Sequence, residues 1–226
     1  MSTQERVPEN GEKNRKNQLA IADKLAAFSL ILDGTSKNPE IMNLIQKFGF
    51  TTETIQAIYA TLNQVVELQS AQKKESGESL LATETFNNLK AEADEFFTDY
   101  LKLARVIFKD NESAKKALIL DGVDKKAFAE WSSRRSQFYI NAKNHLILTA
   151  FARRGITESM LAEGEASLKK AMDYRATAEK ERAESIRATE LRDQKLDELE
   201  TSISELRAFA KVALKGRADL LKNLGI

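Results

Sequence analysis

Chemistry on a helical scaffold needs side chains that ionise, ligate or attack, spaced so that they share a face. This sequence offers few of them: one histidine and no cysteine. One stretch does set polar groups into an apolar stripe, namely Phe128, Trp131, Arg135, Phe138, Ala142, His145 and Thr149. Steps of three and four would align these residues on one side of a helix. Two arrangements are open to Arg135. In the first, it joins Trp131, with His145 further along, in a polar pocket that receives an anionic ligand or an acidic partner from the first half of the chain. A buried guanidinium requires such a partner, because an unpaired buried charge costs several kcal/mol. In the second, which is preferred, the arginine stem covers Trp131 and its head snorkels to water. His145 is then a boundary residue.

Other chemistries find less support. A di-iron carboxylate site needs paired Glu-x-x-His motifs on facing helices, and His145 has no Glu three residues before it. Zinc sites built on Cys and His fail on the count of ligands. Asp94-Glu95 and Asp197-Glu198 are adjacent pairs, which diverge around a helix and do not chelate together. No Walker A, G-x-G-x-x-G or G-x-S-x-G motif occurs. The expectation is therefore no catalytic, cofactor-binding or metal-binding residue, and no cofactor.

Charge is unevenly placed. The net charge is +1, yet residues 17–122 carry 11 Lys/Arg against 15 Asp/Glu and residues 123–226 carry 20 against 16. Dibasic pairs recur at Lys115-Lys116, Lys125-Lys126, Arg134-Arg135, Arg153-Arg154 and Lys169-Lys170. A phosphate-tracking surface would hold its cations on one face with few acids between them, and here acids are interleaved throughout. The N-terminal stretch MSTQERVPENGEKNRKNQ has no apolar core of a secretory signal, and no apolar run has the length of a membrane span. A cytoplasmic protein without membrane contact is the default expectation.

The elements that would carry these residues are helices. Gly (9) and Pro (2) are scarce in the 226 residues, and Ala, Leu, Glu and Lys abound. Residues 1–16 read as a disordered tail. Ile21, Leu25, Phe28 and Leu32 stripe a first helix over about 17–32, with Asp33-Gly34 as its stop; Asn38-Pro39 begins a short second one. A third starts at Thr51 and fades at Lys73-Lys74-Glu75-Ser76-Gly77, read as a turn; a fourth covers about 79–109.

Three corners share one grammar of glycine, apolar residue and cap. At two of them, Gly49 precedes Phe50 and Thr51, and Gly155 precedes Ile156 and Thr157. The glycines suit a left-handed helix end, the threonines suit N-caps, and Phe50/Ile55 and Ile156/Leu161 suit hydrophobic staples. The third runs Gly122, Val123, Asp124, with Phe128 completing its staple. Shifting the chain by 106 residues aligns 49–120 with 155–226 without a gap and with 17 identities.

The expected fold is thus all-α: two tandem copies of a helical-bundle unit, 17–122 and 123–226, offset by about 106 residues. Each copy holds a long antiparallel helix hairpin and short flanking helices. In the second copy, "EKERAES" at 179–185 replaces the glycine turn, leaving a single long helix as the alternative. The expected function is a non-enzymatic scaffold or interaction protein, with a protein partner or self-association through helical faces. The main alternative is a small-molecule-binding or enzymatic protein using a cleft between the copies; a weaker one is nucleic-acid association through the basic second half. Oligomeric state is left open.

Overall fold

The computed structural model describes the backbone of residues 9–123 and 127–226, with side chains from residue 20 onward. It is all-α. The helices are α1 (Glu9–Lys37), α2 (Pro39–Ile45), α3 (Thr52–Ile107), α4 (Glu112–Ala117), α5 (Phe128–Ala142), α6 (His145–Ala152), α7 (Glu158–Ala213) and α8 (Ala218–Asn223). A 3₁₀ turn, Gln46–Phe48, leads into the corner before α3. Residues 1–8 of the expected tail lie outside the described residues, and 9–16 belong to α1.

The expected hairpins are absent. α3 and α7 are each 56 residues long and unbroken. The stretch around Gly77 has the composition of a turn, but its polar residues occupy a helical seam. Gln69 and Gln72 are buried and Ser76 is half-buried. Arg192 Nη1 donates to Gln69 Oε1 at 3.1 Å, and the Ser76 and Ser185 hydroxyls lie 3.3 Å apart. Polar seam partners of this kind hold the helix together where loop composition suggests a break. One interior glycine costs a helix only about 1 kcal/mol.

α1 likewise runs past Asp33-Gly34 to Lys37. Gly34 is there for close approach: a Cβ at this position would stand 2.8 Å from the Asn223 carbonyl oxygen and 2.9 Å from Leu224 Cδ2. The stripe from Phe128 to Thr149 is also cut in two. α5 ends at Ala142, and Asn144 caps α6 by accepting from Leu146 N–H at 3.1 Å. Asn38, 106 residues earlier, caps α2 in the same way, accepting from Glu40 N–H at 3.0 Å and Ile41 N–H at 3.3 Å.

At the corners before α3 and α7 the two geometries are alike. Gly49 has φ 91° and Gly155 φ 82°, in the left-handed region. Thr51 Oγ1 accepts from Thr54 N–H and Thr157 Oγ1 from Met160 N–H, both at 3.3 Å. Phe50, Ile55, Ile156 and Leu161 are buried behind these caps. The Gly122 corner is built otherwise. Gly122 is not left-handed; the left-handed residue is Ile119, at φ 52°. Val123 is exposed, and Asp124 lies outside the described residues. Here side chains supply the capping: Asn141 Nδ2 donates to Ala117 O at 2.6 Å, Arg134 Nη2 to Ile119 O at 3.2 Å, and Arg105 Nη2 to Leu120 O at 2.7 Å.

The chain packs as two compact units. The first joins the residues up to Lys74 to Ile186–Ile226; the second is Glu75–Ser185. Each therefore cuts across the division at 122/123. The first unit takes α1, α2 and the start of α3 from one half of the sequence, and the end of α7 and α8 from the other. Its core joins Ile31, Leu32, Ile41 and Ile55 to Leu199, Ile203, Leu206 and Leu220. The second unit takes the rest of α3 and α4 from the first half, and α5, α6 and the start of α7 from the second. Phe97, Ala104 and Phe108 there meet Phe138, Tyr139, Phe151 and Leu161. Within the second unit α3 and α7 run antiparallel: Tyr100 Oη donates to Met160 O at 2.8 Å, and Arg175 lies 5.9 Å from the Phe86 ring centre.

Candidate functional site

Among the described residues, the ion pair with the most deeply buried cation lies in the second unit. α5 presents Trp131 and Arg135 one turn apart toward α3, whose Asp94 and Phe97 face them. Arg135 is only 3% exposed, so it does not snorkel to water as the sequence reading preferred. Its Nη2 pairs with Asp94 Oδ1 at 2.5 Å, and its Nη1 donates to the Trp131 carbonyl at 3.1 Å. The guanidinium plane is also held between aromatic faces, 4.5 Å from the Phe97 centroid and 4.7 Å from that of Trp131. Trp131 Nε1 donates to the same Asp94 oxygen at 2.7 Å, and Phe128 stacks on the indole at 5.2 Å.

One carboxylate thus serves two donors and balances one cation. A guanidinium offers a charge and a fixed fork of donors. The acidic partner comes from the first half of the sequence, 41 residues before Arg135. Its signal in the sequence is slight: Asp94 follows a buried Ala93 and begins one of the adjacent acidic pairs already weighed for metal binding.

His145 is not part of this centre. It is the first residue of α6, exposed, with Nδ1 3.2 Å from Thr149 Oγ1. Beside the centre, Tyr139 is 1% exposed, and burial drives the pKa of its hydroxyl up. The close approach of α7 to this ring falls at Gly164, where a Cβ would stand 2.5 Å from Tyr139 Oη.

The carboxylates brought together elsewhere are Glu75, Glu78 and Glu181, with one oxygen from each within 4.8 Å of the others. They are not the adjacent pairs that stand out in the sequence, and such acidic groups are common on helices that hold no ion. The basic pair Arg134-Arg135 is spent on Ile119 O and Asp94 rather than presented outward. No helix among the described residues is long and apolar enough to cross a membrane. No protein-family model matches the chain, and neither does any curated protein or solved structure.

Proposed function

We propose that this chain is a non-enzymatic, all-helical scaffold or interaction protein that works through exposed apolar helical faces. The observation that carries the reading is a recurrence. Large apolar side chains stand exposed in four pairs at the 106-residue offset: Val66 and Met172, Leu80 and Ile186, Leu103 and Phe209, Val106 and Val212. Scattered surface apolar residues are ordinary, but the same positions left uncovered in both halves support a use for them. The matching bounds of α3 and α7, and of α4 and α8, support reading the halves as copies of one ancestral unit. The pairing of Arg135 with Asp94 and of Asp94 with Trp131 supports a structural role for the residues with most chemical potential.

Affinity capture with the full chain, run beside Val106→Asp and Val212→Asp variants, tests the proposal. A bound protein, a second copy included, should be lost from at least one variant. An identical binding profile for all three chains would refute it. The alternative, a ligand between the two halves, draws support from a groove of about 510 Å³ that Tyr100 and Met160 help to line. Binding of a small organic ligand there that survives both substitutions would favour it.

A further inference from the structure

One recurring apolar pair, Leu103 and Phe209, sits in surroundings of opposite charge, while the hollow beside Val106 is edged by Lys109 and Arg154 as well as Asp110. In the second unit, Leu103 (46% exposed) and Val106 (72%) lie along α3. Leu103 is shared by two adjoining hollows of about 510 and 600 Å³. The first hollow is floored by Phe96, Tyr100 and Met160 and edged by Glu92, Glu95 and Asp99. Asp99 pairs with Lys102 at 3.2 Å, whereas Glu92 and Glu95 have no ion-pair partner among the described residues. In the first unit, Phe209 (40% exposed) and Val212 (61%) occupy the same places on α7. They form an exposed patch with Phe48, whose ring centre is 5.7 Å from that of Phe209. Lys47, Lys211 and Lys215 are exposed at or next to these residues, with no ion-pair partner among the described residues; Glu205, one turn before Phe209, is an exposed acid on the same helix.

We propose, resting on the interaction reading above, that the groove receives the patch of a second copy of this chain. Phe48, Phe209 and Val212 of one copy cover Phe96, Leu103, Val106 and Met160 of the other, and the patch lysines meet Glu92 and Glu95. Charge favours this pairing over patch against patch. Patch against patch sets lysines against lysines. Groove against groove would set Glu92 and Glu95 against Arg154 and Lys109 at the far end, where Asp110 lies 3.8 Å from Lys109, and is the competing geometry. The contact joins two different surfaces, so each copy keeps a free groove or a free patch. Three apolar side chains cover less than the roughly 800 Å² per partner of a stable interface, so the association is weak and salt-sensitive.

Sedimentation velocity and light scattering on the full chain test this. The weight-average mass should rise as concentration increases from about 20 µM to about 1 mM at low salt, and the rise should fall several-fold in about 0.5 M NaCl, where screening is short-ranged. The double variants Glu92→Lys/Glu95→Lys and Lys211→Glu/Lys215→Glu should each be monomeric with unchanged circular dichroism, and mixing them should restore association. As a second pair, Val106→Asp and Val212→Asp should each be monomeric, and their mixture should stop at a one-to-one dimer. Continued association of the lysine-reversed chain alone would mean groove-to-groove pairing and would overturn the proposal. A mixture of the reversed chains that stays monomeric would overturn it too. So would a native chain that stays monomeric at the highest concentration, which would leave the broader interaction reading to be judged by capture of other proteins.

Discussion

Removing the carboxylate of Asp94 should destabilise the second unit far more than removing its cationic partner. Asp94→Ala takes from the buried Arg135 guanidinium the carboxylate 2.5 Å away, and also takes the acceptor from Trp131 Nε1. Breaking a buried pair in this way costs about 3–5 kcal/mol. The Asp94 side chain is 35% exposed, so water relieves part of the loss, and about 3 kcal/mol is expected. Arg135→Met removes the cation instead. Asp94 then stays hydrated on its open side and keeps the Trp131 hydrogen bond, while Met fills the slot between the rings; the cost should be about 1 kcal/mol or less. The double variant, which lacks both charges and also the Trp131 acceptor, should cost about 2 kcal/mol. That corresponds to a coupling of about 2 kcal/mol between the two residues. Trp131 is the only tryptophan in the chain, so denaturant unfolding followed by its fluorescence reports this unit directly. If Arg135→Met costs as much as Asp94→Ala, the stacking of the guanidinium on Phe97 and Trp131 matters more than charge balance, and the reasoning fails.

The same glycine-to-alanine change should have opposite effects on the two long helices. Gly77→Ala meets nothing within 4 Å and should stabilise by about 0.5–1 kcal/mol, whereas Gly164→Ala drives a methyl group against Tyr139 Oη and within 3.1 Å of Tyr100 Cε2 and should cost about 1–3 kcal/mol. Both are read from denaturation midpoints, and a stabilising Gly164→Ala would show that this approach has slack. Gly155→Val should cost about 1–2 kcal/mol from the backbone alone, since its φ of 82° is left-handed and no neighbour lies within 4 Å; a neutral result in the same assay would discount the corner. Asp33 accepts a hydrogen bond from Tyr59 Oη and pairs with Lys37 at 3.1 Å, and these contacts, the tyrosine's foremost, lower its pKa. Its contribution is present above the ordinary Asp value of about 3.9 and is lost as pH falls through the lowered native value. Stability measured between about pH 5 and 2 should therefore fall less steeply in Asp33→Asn, and an unchanged slope would argue against the linkage.

Helical class was legible because it rests on many residues at once: few glycines and prolines, and apolar steps of three and four through residues such as Ile55, Ile58, Leu62 and Val65. The positions of Gly49, Thr51, Gly155 and Thr157 could be read because capping is local, involving atoms three residues apart. What escaped was set by distant parts of the chain. Nothing near Gly77 says that Gln69 will be met by Arg192, and without such partners the segment reads as a turn. Gly34 looks like a helix stop until Asn223 and Leu224 arrive beside it. Arg135 looked too polar to bury because its partner, Asp94, lies on another helix among ordinary surface acids. The break at Asn144 had a visible counterpart in Asn38, but the apolar stripe running across it was the louder signal.

The way the units divide the chain has a consequence for the order of synthesis. Glu75–Ser185 is one uninterrupted stretch, so that unit has all its residues before Ile186–Ile226 has been made. The other unit is split between the two ends. Ile41, Ile45, Ile55, Ile58 and Leu62 leave the ribosome early, but Leu199, Ile203, Leu206 and Leu220, which share their core, come last. Chains grow at roughly 5–20 residues per second, so this early apolar surface stands uncovered for seconds while its neighbour in sequence can already fold. Leu224, two residues from the end, is among the side chains that close against Gly34. The nascent protein is therefore exposed to unwanted association at the apolar residues made before Glu75, and a chain cut short at Ser185 would carry one unit with all its residues and one lacking part of its core.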